Sequence, residues 1–170
     1  MKRSIKVLAV TVVFILMSAQ AYSQKCKYDY QKKDEITGEE TKGNTFDVKR
    51  GWKLGLNKNG NHYFFGMLIY INGNVRDIVT PENTIIFKLE NGEIITVNAN
   101  QDYVPTAQAT EYGIVSMYNV RYNISKDDLK KIAYSPLTYI RAGIGMQTYD
   151  ENIATKKGKS FQDQTICILQ

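Results

Sequence analysis

Ile85-Ile86-Phe87-Lys88-Leu89-Glu90-Asn91-Gly92-Glu93-Ile94-Ile95-Thr96-Val97 is the stretch whose reading decides the fold. Two runs rich in β-branched and aromatic residues flank Asn91-Gly92, a dipeptide that tolerates positive φ at both centres of a type I′ turn. A two-residue turn there pairs Leu89 with Ile94 and Phe87 with Thr96 on one face. Ile85 continues that face, which is expected to look into the core. The other face carries Lys88, Glu90 and Glu93 and suits solvent, although Ile86, Ile95 and Val97 show that it is partly covered.

Working outward, the same pattern recurs. Upstream, Asn57-Lys58-Asn59-Gly60 separates Trp52–Leu56 from the run His62–Ile71, whose apolar content is too continuous for a half-wet strand. It reads as a central strand covered on both faces, ended by a turn at Asn72-Gly73-Asn74. Nearer the start, Lys27-Tyr28-Asp29-Tyr30 alternates and Ile36-Thr37-Gly38-Glu39 is a turn. Downstream, Gln101–Thr110 has no period and reads as a surface loop. Val115–Tyr122 alternates again, with Tyr118, Val120 and Tyr122 on one side and Asn119, Arg121 and Asn123 on the other.

Two segments read as helix. Ser125 is an N-cap, with Asp127 and Asp128 in the first turn to compensate the helix dipole. Leu129, Ile132 and Ala133 follow at helical spacing, and Ser135-Pro136 stops the run because the residue before proline leaves the α region. Leu137–Met146 returns to strand. From Ala154 onward, Phe161, Thr165, Ile168 and Leu169 fall at helical spacing. Thr165-Ile166-Cys167-Ile168 also suits a strand; helix is the favoured reading. The sum is α+β: a mainly antiparallel β-sheet of about six or seven strands with one or two short helices.

The first residues have a different character. Lys2, Arg3 and Lys6 precede the apolar stretch Val7–Met17, and Ser18-Ala19-Gln20-Ala21 supplies small residues before a cut. This is the pattern of a secretory signal peptide over residues 1–23, cleaved after Ala21 or Ser23, with a single globular domain over 24–170. An apolar stretch of that length falls short of the roughly 20 residues that span a membrane. Cys26 does not directly follow the small residues, so a lipoprotein is not expected. The expected address is periplasmic or secreted, with no transmembrane segment in the mature chain.

Of 170 residues, 22 are basic and 17 acidic, a net charge of +5; without Lys2, Arg3 and Lys6 the balance is 19 to 17, or +2. Basic and acidic residues interleave, as in Lys32-Lys33-Asp34-Glu35, and no concentrated basic face emerges for nucleic acid. The two cysteines, Cys26 and Cys167, lie near the ends of the mature chain. In an oxidising compartment such a pair is expected to form a disulfide.

The order of these pieces resembles a group of small exported proteins of Bacteroidota. The resemblance rests on the Cys26/Tyr28 start, the Asp34-Glu35-Ile36-Thr37-Gly38 turn and the Leu89–Ile94 hairpin. The Ile124-Ser125-Lys126-Asp127-Asp128-Leu129 helix start and the late Cys167 complete it. It implies export and a compact domain, and it carries no activity and no functional residues.

Chemistry is sparse. His62 is the only histidine, so any Ser-His or Cys-His nucleophile system would have to use it. Cys26, Cys167 and His62 lack the short spacings of a metal site, so no metal and no cofactor is expected. The acidic pairs Asp34/Glu35, Glu39/Glu40, Asp127/Asp128 and Asp150/Glu151 sit in turns or at a helix start, where they solvate and cap. Twelve tyrosines, six phenylalanines and one tryptophan remain, and tyrosine serves both strand packing and binding surfaces. Trp52, Tyr118 and Tyr122 are the candidate recognition residues. The first reading is a non-catalytic exported binding or accessory domain recognising a protein or glycan. The others are a small carboxylate-based hydrolase and an inhibitor-like or structural component of a surface complex.

Overall fold

The computed structural model describes residues 26–170; the expected signal peptide over residues 1–23 lies outside the described residues. The described residues form ten strands and two helices. The strands are β1 (Tyr30–Lys33), β2 (Glu40–Lys49), β3 (Trp52–Asn59), β4 (His62–Asn72), β5 (Thr84–Leu89), β6 (Ile94–Asn98), β7 (Thr106–Thr110), β8 (Gly113–Ile124), β9 (Leu137–Ile144) and β10 (Gln147–Asn152). The helices are α1 (Lys126–Tyr134), between β8 and β9, and α2 (Thr155–Leu169), after β10.

All pairings are antiparallel. One sheet runs β1-β2-β3-β4-β8-β7 and the other β10-β9-β5-β6. The expected class is therefore the observed one, with more strands than the sequence pattern suggested. β7 falls inside the stretch read as a loop, and β10 follows Gly145, where the expected strand Leu137–Met146 instead stops and turns back.

The core lies between the sheets, and α2 joins them. Phe161 of α2 stands 4.9 Å from the ring of Phe46 on β2, 6.0 Å from Phe65 on β4 and 6.3 Å from Phe87 on β5. Phe65 and Phe87 lie 4.9 Å apart, so one aromatic cluster draws on both sheets and the helix. The α-spacing of the C-terminal segment holds: Phe161, Thr165 and Ile168 are buried. α1 is capped as expected, the Asp128 amide donating to Ser125 Oγ at 3.0 Å, and it buries Leu129 and Ile132. Cys26 and Cys167 are disulfide-bonded, with Cα atoms 5.4 Å apart.

Three expectations change. The β5–β6 hairpin does turn at Asn91-Gly92, but only Gly92 has positive φ (+89°), so the type I′ turn is not formed. The Gly92 amide donates to the Leu89 carbonyl at 3.0 Å and the Leu89 amide to the Glu93 carbonyl at 2.9 Å, a three-residue loop. Phe87 then pairs with Ile95, not with Thr96. A slip of one residue exchanges the faces of a strand. Ile95 and Val97 are buried, whereas Ile94 is 65% exposed. On β4, burial alternates. Tyr63, Phe65, Met67 and Ile69 are buried, Phe64, Gly66 and Leu68 are half-buried, and Tyr70 is exposed. β4 is central in its sheet but has a core layer on one face only; its outer face is screened by side chains such as Arg121, whose guanidinium carbon lies 3.6 Å from the Phe64 ring centroid. The third change concerns the recognition candidates below.

Candidate functional site: a cationic cleft at the end of the β4–β8 ladder

Trp52, Tyr118 and Tyr122 are fully buried and present no surface to a partner. Strand parity is the reason. Trp52 faces inward with Leu54 and Leu56, and Tyr118 and Tyr122 flank inward-facing Val120. The Tyr118 hydroxyl donates to the Asp77 carbonyl at 2.9 Å. These three residues build the core, and the alternating residues on the opposite side of β8 meet the solvent.

That opposite side leads to a cleft of about 550 Å³. It opens where the β4–β8 ladder ends, at the pair Tyr63/Ile124, and where α1 begins. Its polar lining consists of Asn61, His62, Arg121, Asn123, Ser125 and Lys126. Asn61 and His62 come from the β3–β4 turn and the first residue of β4. The register that sets Phe64 opposite Asn123 and Gly66 opposite Arg121 brings them beside the end of β8. Gly66 has Gly55 of β3 as its other partner, so two residues without side chains lie next to Arg121. The Arg121 guanidinium sits over the Phe64 ring, a cation–π contact.

The charged residues of the lining are cationic, and the Ser125 hydroxyl within it donates to the Asp128 carboxylate at 2.7 Å. No carboxylate is among the lining residues. Among the described residues, none of the ion pairs within 4.0 Å uses Arg121 or Lys126, and Lys58 adds a further cation beside the Tyr63 ring, 5.9 Å from its centroid.

The acidic pairs behave differently. Asp34 accepts from the Ile36 and Thr37 amides at 2.9 and 2.7 Å, bonds that hold its carboxyl below the ordinary range. Asp127 and Asp128 pair with Lys130 and Lys131, each at 2.7 Å, and both are lowered by those hydrogen bonds. Asp150 is lowered first by the Tyr139 hydroxyl, at 2.5 Å, and then by Arg141, at 2.9 Å. Glu40 is lowered by Gln31, and Glu151 meets Lys49 at 2.9 Å. A general acid needs a carboxyl held protonated by a raised pKa, and each of these shifted acids moves the other way. The disulfide occupies both cysteines, leaving no free thiol for His62. Among the described residues no group of three or more His, Cys, Asp or Glu is placed to hold a metal ion, and no helix is long and apolar enough to cross a membrane.

Comparison with protein-family models, curated proteins and solved structures returns no match. Composition alone does not reveal the cleft, because its members lie far apart in sequence and carry no spacing signature. The one local signal is the polar side of β8, where Asn119, Arg121 and Asn123 alternate with the buried residues.

Proposed function

We propose that this chain is a non-catalytic exported binding domain and that its ligand is a glycan carrying acid groups, held in the Arg121–Lys126 cleft. The observation that carries the reading is the composition of that lining: a guanidinium seated over Phe64, an ammonium, an imidazole and two carboxamides around one depression, with no carboxylate among the lining residues. Guanidinium and ammonium groups match carboxylate or sulfate oxygens. The carboxamides of Asn61 and Asn123 offer both donors and acceptors, as sugar hydroxyls require. Export is supported by the disulfide, since such bonds persist in oxidising compartments.

The test is calorimetric titration with uronic-acid-containing, sulfated and neutral oligosaccharides of matched length. Acidic chains are expected to bind and neutral ones not, with affinity falling as salt rises. Arg121→Ala and Lys126→Ala should each weaken binding by about tenfold, in line with the loss of one charge-assisted contact. Both residues are exposed, so the fold should hold, with Arg121→Ala losing only the cation–π contact to Phe64, worth about 0.5–1 kcal/mol. Equal affinity for neutral chains, or acidic binding indifferent to both substitutions, would overturn the reading.

A further inference from the structure

The four sheet edges are unequally protected. Unpaired strand edges template pairing with another chain, and proteins blunt them with charge or cover. β1 carries Lys32 and Lys33, and β10 carries Asp150 and Glu151. β6 faces the end of β8 and the start of α1 across a cleft of about 410 Å³, and just beyond it Ala99 bridges to Tyr122. β7 is the exception. Thr106-Ala107-Gln108-Ala109-Thr110 has no charge and no proline, every residue is exposed, and among the described residues it pairs with β8 alone.

The order of those five residues reads the same in both directions. An antiparallel strand meets its partner reversed, so a palindromic edge is complementary to itself. We propose that two copies of this chain associate through β7, antiparallel about a two-fold axis at Gln108. Thr106 then opposes the partner's Thr110, Ala107 opposes the partner's Ala109, and Gln108 opposes the partner's Gln108. Threonine pairs across strands are favourable, and no like charges meet. The same register carries Val104, 73% exposed, to the end of the strand where the partner's Tyr112 lies, itself 91% exposed. Two apolar side chains with no role in the core thus gain a contact. The interface is isologous and joins the two six-stranded sheets edge to edge. It does not involve the Arg121 cleft and stands or falls independently of the ligand.

Sedimentation across a concentration series tests it, on wild type, Gln108→Lys, Gln108→Glu and an equal mixture of the two variants. Gln108 is exposed, so neither substitution disturbs the core. Wild type should show a reversible monomer–dimer equilibrium. Each variant alone places like charges face to face on the axis and should raise the dissociation constant by about tenfold or more. The mixture, with lysine opposite glutamate, should recover dimer. A monomeric wild type at every concentration, a dimer that ignores both variants, or variants that lose the dimer without recovering it on mixing would each overturn the proposal.

Discussion

Gly158, in the first turns of α2, shows how single positions constrain this molecule. A Cβ built there would lie 2.0 Å from the Leu137 carbonyl oxygen and 3.1 Å from its carbon. Those are backbone atoms at the start of β9 and cannot rotate aside. Alanine ordinarily stabilises a helix by about 1 kcal/mol over glycine. Forcing a methyl group against fixed atoms costs about 1–3 kcal/mol. The overlap is severe enough for the second effect to win. Gly158→Ala is expected to lower stability in urea denaturation; a rise would show that α2 is not held this close to β9. Tyr118 makes a pH-dependent contribution. Burial, followed by the negative charges of Asp77 and Tyr149, pushes its hydroxyl up to about 12. The folded state keeps a proton that the unfolded chain releases near pH 10, so this stabilisation is complete below about pH 10 and declines from there towards about pH 12 at about 1.4 kcal/mol per unit. Against wild type, Tyr118→Phe should lose a hydrogen bond worth about 1 kcal/mol at neutral pH yet fall less steeply above about pH 10. Parallel alkaline limbs would count against the assignment. At this scale the sequence pattern was informative but open to misreading. Val120 between two tyrosines marks a core side, and Trp52 two residues before Leu54 does the same.

The β5–β6 hairpin shows where legibility ends at the level of elements. The dipeptide Asn91-Gly92 located the turn correctly, whereas its geometry depends on distant residues. The Asn91 amide donates to Ser135 Oγ at 3.1 Å and the Glu90 amide to the Pro136 carbonyl at 2.9 Å, both at the α1–β9 junction. No local rule anticipates those anchors, and they accompany a loop one residue longer than the dipeptide implies. Gly92 alone then needs positive φ. An alanine in that left-handed conformation costs about 1–2 kcal/mol, and asparagine pays less because it visits the region more readily. Thermal denaturation should rank wild type above Gly92→Asn and Gly92→Asn above Gly92→Ala. Equal melting temperatures for wild type and Gly92→Ala would contradict the loop. β7 and β10 escaped notice for a different reason: most of their residues are exposed, and they carry no apolar alternation to read.

For the whole molecule, the antiparallel α+β class, both helices and the Cys26–Cys167 pair were legible, because each rests on periodicity, caps or residue count. The cleft was not, since His62, Arg121 and Lys126 meet only through the β4–β8 register. The disulfide has the widest reach. It spans 141 residues of sequence and ties the start of the described chain to the last turn of α2, the helix whose Phe161 joins the two sheets. The noncovalent tie at the same place is the Tyr28 hydroxyl donating to the Cys167 carbonyl at 2.8 Å. One such hydrogen bond contributes about 1 kcal/mol. Closing a loop this long removes unfolded-state entropy worth about 5 kcal/mol in the chain-entropy model. The covalent link therefore dominates, and its loss should act mainly through the unfolded state. Reduction, or the double substitution Cys26→Ser with Cys167→Ser, is expected to leave the native far-ultraviolet circular dichroism intact at low temperature. The melting point should fall by about 10 °C or more, as a few kcal/mol does in a domain of this size. Both treatments should give the same melting point, because each removes the same constraint. An unchanged melting point after verified reduction would mean that packing around Phe161 holds α2 without help from the bond.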